Sequence, residues 1–352
     1  MEKKYCQFVP DNKHSVFQVL VDAMDSILFV TSGKKNALHL CNDSSQWKGR
    51  RKMLAAGFQN SMLKRYINVF NEHAQKLVEF LHEETHKEFT CFERPLSLCS
   101  LDIVGDHKKR KQLYMDGETG DDSRKPKCLL DVLLKLHIED KLLDEEGVRQ
   151  EVDTFISAGH ETVAVAVKWA LYLIGLYPEV QEKIHQELDS VQGADSKGPL
   201  SVADLNEFKY LECVLKECYR LYPPAALFAR KTSEEISICG HTIPKKTTVI
   251  VSPFLVHRDE DVFPDPEKFD PERFLPENIT HIPDCGYIPF AAGPRNCIGN
   301  TFAEIEVKIL VCHILRNFSL LSLDSRDQVL PIIKITLQSS QPARIKFRRR
   351  QQ

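Results

Sequence analysis

The sequence predicts a mainly α-helical fold with a minor β portion, and three observations lead to that prediction. Apolar residues recur at helical spacing through most of the first half of the chain. One long helix is predicted from about Glu145 to Leu176, ending where Tyr177-Pro178 opens the next helix. Past Tyr222-Pro223-Pro224, β-branched residues alternate around a Gly240-His241 turn, which indicates a small sheet.

The composition of the chain indicates which kinds of binding partner and which cellular environment to expect. The chain has 352 residues and is 42% hydrophobic, so it can bury a sizeable core in one domain or in two. Its 47 basic and 50 acidic side chains give a net charge of −3, which favours a small-molecule partner over nucleic acid. The 11 cysteines show no CxxC pairs, which indicates a reducing, cytosol-facing environment. No apolar run reaches about 18 residues, so we expect no membrane span in the chain as given.

The elements follow in order along the chain. Two or three helices are predicted between Trp47 and about Phe89, from their apolar spacing. Residues 105–127 are polar and charged, which predicts an exposed connection. Helical spacing dominates again from Leu129 to Leu221. After a proline-rich run, a helix from about Asn300 to Phe318 leads into a final pair of possible strands.

The segment FAAGPRNCIGNTF, residues 290–302, places one cysteine immediately before that last helix. Backbone N–H groups and the positive end of the helix dipole are expected to stabilise the thiolate of Cys297. A thiolate is the form of cysteine that binds metals. The alternative is a buried cysteine in a helix-capping turn.

Residues around Cys297 suit a flat, bulky ligand. Gly293 and Gly299 allow the backbone to approach such a ligand, and Phe290 offers an apolar wall. Arg295 is placed to pair with a carboxylate of the same ligand. A flat ligand with a central metal and peripheral carboxylates is haem, for which a single cysteine thiolate can be the axial ligand.

The complete pattern FxxGxRxCxG resembles the cysteine-ligand loop of the cytochrome P450 superfamily of haem-thiolate monooxygenases. The resemblance implies haem b (Fe-protoporphyrin IX) with Cys297 as the thiolate ligand of the iron. EVDTFISAGHETV, residues 151–163, and HRDEDVFPDPEKFDPERF are similar to family 4, whose members are typically fatty-acid ω-hydroxylases. Ala158 occupies a position where many of them carry a glutamate that esterifies the haem, so no covalent attachment is expected.

Two further motifs belong to the same resemblance. Glu217 and Arg220 of KECYR share one helix face at i and i+3. Arg273 lies in PERF, and the resemblance implies that these three residues form a structural Glu-Arg-Arg cluster.

AGHET, within the long predicted helix, has two interpretations. A glycine in mid-helix costs about 1 kcal/mol relative to alanine, so Gly159 needs a compensating reason. Close helix packing is one. The resemblance implies the other, in which Gly159 leaves room beside the iron while Glu161 and Thr162 relay protons to bound oxygen.

Candidates for the haem propionates lie in two other places. Trp47 and Arg51 of WKGRR match the WxxxR motif of the family, and Arg230 of LFARK matches the arginine that follows its ExxR helix. With Arg295 they supply three guanidinium groups and one indole N–H for two carboxylates. Each of them, taken alone, also fits an ordinary surface residue.

The resemblance also implies missing chain. Residues 1–46 correspond to a divergent or truncated N-terminus, and residues 105–127 stand where the family has the two helices that roof its active site. We therefore expect a single, incomplete cytochrome P450 domain over residues 1–352. Its surviving pocket-lining candidates include Phe155 and Leu337.

The resemblance implies that the chain inserts one oxygen atom from O2 into a C–H bond of a lipophilic, fatty-acid-like substrate. Electrons would come from NADPH through NADPH-cytochrome P450 reductase, with cytochrome b5 as a further candidate partner. Lys48, Arg50 and Lys52 are candidate contacts for an acidic reductase surface. The expected location is the cytosolic face of the endoplasmic reticulum membrane, or a peripheral or cytosolic one.

Two alternatives stay open at this point. A rearranging haem-thiolate enzyme needs no reductase, but such relatives tend to lose the acid-alcohol pair that this chain keeps. A catalytically inactive truncated product, acting at most as an interaction or haem-binding protein, is favoured by the missing roof, because an open pocket does not exclude water.

Overall fold

The computed structural model describes residues 44–105, 129–193 and 198–350. The expectations for residues 1–46 and 105–127 concern stretches that lie outside the described residues, apart from their helical edges. Within the described ranges, the mainly α-helical fold with a minor β portion is confirmed.

Helices account for most of the described chain. The α-helices are α1 (Ser44–Leu54), α2 (Asn60–Glu84), α3 (Glu93–Gly105), α4 (Leu129–Ile138), α5 (Glu145–Leu176), α6 (Pro178–Gln192), α7 (Val202–Glu207), α8 (Lys209–Leu221), α9 (Pro253–Val256), α10 (Pro276–Ile279) and α11 (Asn300–Asn317). Two short 3-10 helices are η1 (Ala55–Phe58) and η2 (Pro271–Phe274).

The strands are short and pair antiparallel in twos. They are β1 (Phe228–Lys231), β2 (Ile236–Ile238), β3 (His241–Ile243), β4 (Thr248–Val251), β5 (Phe318–Ser322), β6 (Pro331–Ile333), β7 (Leu337–Ser339) and β8 (Ile345–Arg349). Their pairs are β1 with β4, β2 with β3, β5 with β8 and β6 with β7. The predicted final pair of strands is therefore two pairs, because strands of three to five residues are too short for alternation to count them.

The turn that joins β2 to β3 is Cys239-Gly240, one residue before the predicted Gly240-His241, because His241 already pairs with Ile238 in β3. Cys239 and Gly240 have φ angles of 51° and 80°, so both central residues are left-handed. That conformation is typical of the tight turns whose twist matches a two-stranded hairpin.

Helix α5 has the bounds that the sequence predicts. The Asp144 carboxylate caps it by accepting the Gly147 N–H at 2.7 Å, and Pro178 opens α6 directly after Tyr177. Its second half is buried against α3, α11 and β5. A Cβ at Gly175 would lie 2.5 Å from Ser322 Oγ, so the close approach of α5 to β5 requires glycine there.

Helix α11 packs against α2, α5 and α6. Phe302 in its first turn meets the rings of Phe70 and Tyr66 edge-on, each with centroids 4.9 Å apart. The start of α11, and with it the preceding cysteine loop, is thereby held against α2.

In the part of the chain that the structure describes, no helix taken singly has the length and hydropathy of a membrane span. Helices α5 and α6 meet that test only as a pair, bent by 108° at their junction.

Candidate functional site

The loop from Phe290 to Cys297 is closed by its own backbone. The Cys297 N–H donates to the Phe290 carbonyl at 2.9 Å, and the Asn296 N–H donates to the Gly293 carbonyl at 3.0 Å. Gly293 has φ +75°, which favours glycine, and Ala291 adopts φ +59°. The loop presents Cys297 at the start of α11.

The Cys297 side chain is exposed at the surface of the loop. Protein packed around the sulfur nevertheless raises the pKa of the Cys297 thiol, while the Gly299 N–H and the Arg51 guanidinium oppose that effect. The expected stabilisation of the thiolate is therefore present but is outweighed by desolvation. A coordinated metal would supply the difference, because a thiol that binds a metal is deprotonated.

The two other loop residues singled out by the sequence differ in role. Phe290 packs edge-on against Tyr219, with centroids 5.8 Å apart, so its ring is fixed against the main core, and its role as an apolar wall stays a prediction. Gly299 has φ −97°, and a Cβ there would make only ordinary contact with Phe58 at 3.6 Å. Packing within the protein therefore does not require glycine at position 299.

Arginines surround the cysteine loop. Arg51 donates to the Asn296 carbonyl at 2.7 Å and to the Asn296 side-chain oxygen at 2.6 Å. The Arg295 guanidinium lies 4.4 Å from the centre of the buried Trp47 ring. Sequence reasoning selected Arg51, Arg295 and Trp47, but it missed Asn296 as the group that joins α1 to the loop.

Arg230 approaches the same place from β1. Its Nη2 donates to the Arg295 carbonyl at 3.5 Å. Burial and the nearby positive charge of Arg295 lower the pKa of Arg230, so two like charges are held together. Such an arrangement favours an anionic ligand. A thiol with clustered guanidinium groups beside it fits a haem and its propionates.

A second set of contacts lies behind the loop. Arg220 donates twice to the Glu217 carboxylate, at 2.7 and 2.9 Å, and both side chains are fully buried. Arg273 Nε lies 3.7 Å from the same carboxylate, with its side chain 14% exposed at the rim of the cluster. The structure thus brings together the three residues that the resemblance grouped, with Arg273 only partly buried.

The cluster reaches the cysteine loop through His257. Arg220 Nη1 donates to the His257 carbonyl at 2.9 Å, and the His257 ring accepts the Ile288 N–H at 2.8 Å. Burial lowers the pKa of His257 to about 3, so the ring is neutral and its Nε2 accepts. His257 stands in the HRDED segment, but nothing in the sequence marked it as a link to the loop.

The middle of α5 is open where the cofactor is expected. Ser157 and Ala158 are exposed, between the buried Thr154 and Val163. The Thr162 hydroxyl donates to the Ala158 carbonyl at 2.7 Å. This segment of α5 therefore presents an uncovered face at Ser157 and Ala158, while Ser100 of α3 donates to the His160 carbonyl at 2.5 Å.

Glu161 and Thr162 are not hydrogen-bonded to each other. Glu161 instead accepts from Thr336 Oγ1 at 2.8 Å. Leu337, expected to line the pocket, is wholly buried in the main core. The interpretation of Leu337 as a pocket residue is therefore wrong, because its backbone and side chain face the core.

One expected reductase contact has another role. Arg50 forms an ion pair with the buried Glu151 at 2.7 Å and so joins α1 to α5. Lys48 and Lys52 on the same helix are exposed. Since a buried carboxylate holds Arg50, only Lys48 and Lys52 are left for an acidic partner.

Glu306, on the helix that follows the cysteine loop, is fully buried, and neither of its carboxylate oxygens has a hydrogen-bond partner. Burial raises the pKa of Glu306 well above its ordinary value. Above the ordinary carboxyl range the unfolded chain ionises while the folded one stays protonated, so this group lowers stability as pH rises.

We expect Glu306→Gln to lack this pH dependence. The difference in free energy of unfolding between this variant and the parent should change in favour of the variant as the pH rises from about 5 to 8. The change should be up to about 1.4 kcal/mol per pH unit. Urea unfolding at several pH values measures the difference. Glu83→Gln, at an exposed position of α2, is the control and should run parallel to the parent. Parallel profiles for Glu306→Gln as well would contradict the prediction.

Comparisons with known proteins match the geometry of the site. The family model "Cytochrome P450" matches residues 103–347. Cytochrome P450 4V2 of Rattus norvegicus is 34% identical over 387 residues, covering 88% of this chain and 73% of that protein. Cytochrome P450 4V2 of Mus musculus is 35% identical with the same coverage. Cytochrome P450 4c3 of Drosophila melanogaster is 29% identical, covering 88% of this chain and 72% of that protein.

The fold and the cysteine loop define a haem-thiolate protein. The chain belongs to the cytochrome P450 family and resembles its family 4 members. Membership supports a haem monooxygenase of the oxidoreductase class, with the haem iron bound by a cysteine thiolate.

The alignment with the rat protein leaves part of that protein without a counterpart in this chain. The alignment is 387 positions long, whereas 88% of 352 residues is about 310. The difference, 387 less 310, leaves about 77 aligned positions of the relative without a counterpart here.

Proposed function

We propose that this chain inserts one oxygen atom from O2 into a C–H bond of a lipophilic, fatty-acid-like substrate, with Cys297 as the ligand of haem b. The observation that carries the proposal is the exposed thiol of Cys297, presented by a closed loop to which Arg51 and Arg230 are both hydrogen-bonded.

The residues of the site have separate proposed roles. When bound, haem supplies the dioxygen-activating chemistry of the site. Cys297 would hold the iron, and Arg230, Arg295 and Arg51 would neutralise the propionates beside the Trp47 ring. With the haem in place, Phe290 would add an apolar wall beside the sulfur.

Helix α5 would supply the proton-handling groups. The open face at Ala158 leaves space beside the helix. The Thr162 hydroxyl is oriented by the Ala158 carbonyl, and Glu161 is the proposed carboxylate partner of Thr162 in proton relay. Glu217, Arg220 and Arg273 act structurally, because they fix the segments that precede the cysteine loop.

Electron supply and location complete the proposal. NADPH-cytochrome P450 reductase, and cytochrome b5 as a further donor, would dock on the cysteine side, where Lys48 and Lys52 are exposed. The cytosolic face of the endoplasmic reticulum membrane is the proposed location, with a peripheral or cytosolic one as the alternative.

The second candidate is an inactive product that acts as an interaction or haem-binding protein. The observation in its favour is that about 77 aligned positions of the relative have no counterpart in this chain. A site that lacks covering segments excludes water poorly, and the proposed chemistry requires that exclusion.

The reduced carbon-monoxide difference spectrum tests the proposal. We expect a strongly red-shifted Soret band from the purified chain and complete loss of that band in Cys297→Ala, because only a thiolate ligand produces the shift. Cys91→Ala, at another exposed cysteine, is the matched control and should keep the band.

The outcomes separate the candidates. A band that survives in Cys297→Ala would rule out this cysteine as the ligand. No band from the parent chain after haem reconstitution would favour the inactive product. A band followed by reductase-dependent oxidation of a fatty acid would support the monooxygenase.

A further inference from the structure

A polar bridge connects the middle of α5 to the C-terminal hairpin β6–β7. Lys168 Nζ donates to Gln338 Oε1 at 3.3 Å, and Gln338 Nε2 donates to Glu161 Oε1, also at 3.3 Å. Thr336 Oγ1 donates to the same Glu161 oxygen at 2.8 Å. One amide thus lies between a cation and a carboxylate.

The spacing along α5 explains why an intermediary is needed. Glu161 and Lys168 are seven residues apart, so they share a helix face but are separated by a rise of about 10.5 Å. That separation is too long for a direct ion pair. A glutamine can span it, because its amide accepts from the ammonium and donates to the carboxylate.

Lys168 depends on this bridge. Its side chain is only 3% exposed, and its ammonium also donates to Ser339 Oγ at 3.3 Å. Ser339 Oγ lies 3.4 Å from a carboxylate oxygen of Glu93 on α3. A buried cation is costly without such partners, so α5, α3 and the hairpin are joined by one network.

Leu337, which lies between Thr336 and Gln338, fixes the hairpin in position. The Leu337 side chain is fully buried, its N–H donates to the Pro224 carbonyl at 2.9 Å, and its carbonyl accepts from Trp169 Nε1 at 2.8 Å. Thr336 and Gln338 flank Leu337, so both side chains point away from it toward α5.

We infer that Thr336, Gln338 and Lys168 position the proton-handling carboxylate of Glu161. Thr336 and Gln338 hold Oε1, which leaves Oε2 to carry and pass the proton. Lys168 orients the Gln338 amide from the other side. This inference rests on the proposed function for its chemical meaning, while the bridge itself is a property of the folded chain.

A double-mutant cycle tests the bridge without any turnover. Glu161→Ala and Lys168→Met are made singly and together in the full chain, and urea unfolding is measured for each. We expect their effects on the unfolding equilibrium constant to deviate from multiplicative by about five-fold or more. In a Gln338→Leu background the deviation should fall below about two-fold, because the intermediary is gone.

Proton handling is tested by the share of NADPH electrons lost as hydrogen peroxide. Gln338→Glu keeps the size and the contact with Lys168, but it places a negative charge against Glu161. We expect the peroxide share to rise several-fold in Gln338→Glu and in Gln338→Leu, with the thiolate Soret band unchanged. Gln341→Leu is the control, since Gln341 is exposed and bonds to the Gln328 carbonyl instead.

The two measurements distinguish failure of the polar bridge from failure of its positioning role. If the effects of Glu161→Ala and Lys168→Met on the unfolding equilibrium constant simply multiply in the parent, the bridge is overturned. It is also overturned if their coupling persists in the Gln338→Leu background. Coupling with an unchanged peroxide share in both Gln338 variants would overturn the positioning role. Because the cycle uses only unfolding, it decides the bridge even where the carbon-monoxide spectrum rejects haem-thiolate ligation.

Discussion

Replacing Arg220 with alanine is expected to lower the free energy of unfolding by about 3–5 kcal/mol. The guanidinium pairs with the buried Glu217 carboxylate and also donates to the buried His257 carbonyl and the partly buried Lys268 carbonyl. Its removal leaves a buried carboxylate and two backbone acceptors without their partner. Because His257 leads on to Ile288, we also expect the cysteine loop to lose its fixed conformation.

Urea unfolding of the full chain measures this loss. Lys76→Ala, which breaks the exposed i,i+4 pair with Glu72, is the matched control and should cost about 0.5 kcal/mol or less. A cost for Arg220→Ala as small as that of the control would show that the buried cluster does not stabilise the fold.

The second large effect is expected from Trp169→Ala, with a loss of about 3–5 kcal/mol. The buried indole stacks on Tyr222, with centroids 4.0 Å apart and planes 5° apart, and its N–H holds the Leu337 carbonyl. Alanine would remove the stacked ring and leave both a cavity and an unpaired carbonyl.

Trp169→Phe separates these contributions. It keeps an aromatic ring beside Tyr222 but has no N–H for Leu337, so we expect a smaller loss of about 1–3 kcal/mol. Thermal or urea unfolding of both variants gives the comparison. Equal losses would mean that the hydrogen bond, and not the ring, accounts for the effect.

Sequence reasoning succeeded where the signal is local. The bounds of α5 follow from Asp144, Pro178 and continuous apolar spacing, all readable within one segment. The closed loop at Cys297 follows from glycine and cysteine placement in a few residues. When all the residues of a pattern lie within one element, their spacing is enough to predict the local structure.

Sequence reasoning failed for residues whose contact partner lies far away along the chain. Arg50 was assigned to a surface role because its partner, Glu151, lies 101 residues away. Leu337 was assigned to a pocket because its hydrophobicity fits a pocket wall and a core equally well. His257 and Asn296 gave no signal, since their importance arises from contacts with residues remote in the chain: Arg220 and Ile288 for His257, and Arg51 for Asn296.

The contacts that complete this fold join remote parts of the chain. Trp169 meets Leu337 across 168 residues, and Arg51 meets Asn296 across 245. At a synthesis rate of roughly 5–20 residues per second, α5 leaves the ribosome about 8–34 s before the hairpin that covers Trp169 exists. During that interval the sides of α5 that later pack against α11 and β5 lack their native cover, while α3 has already been made, so part of the apolar surface of α5 is open to chaperones.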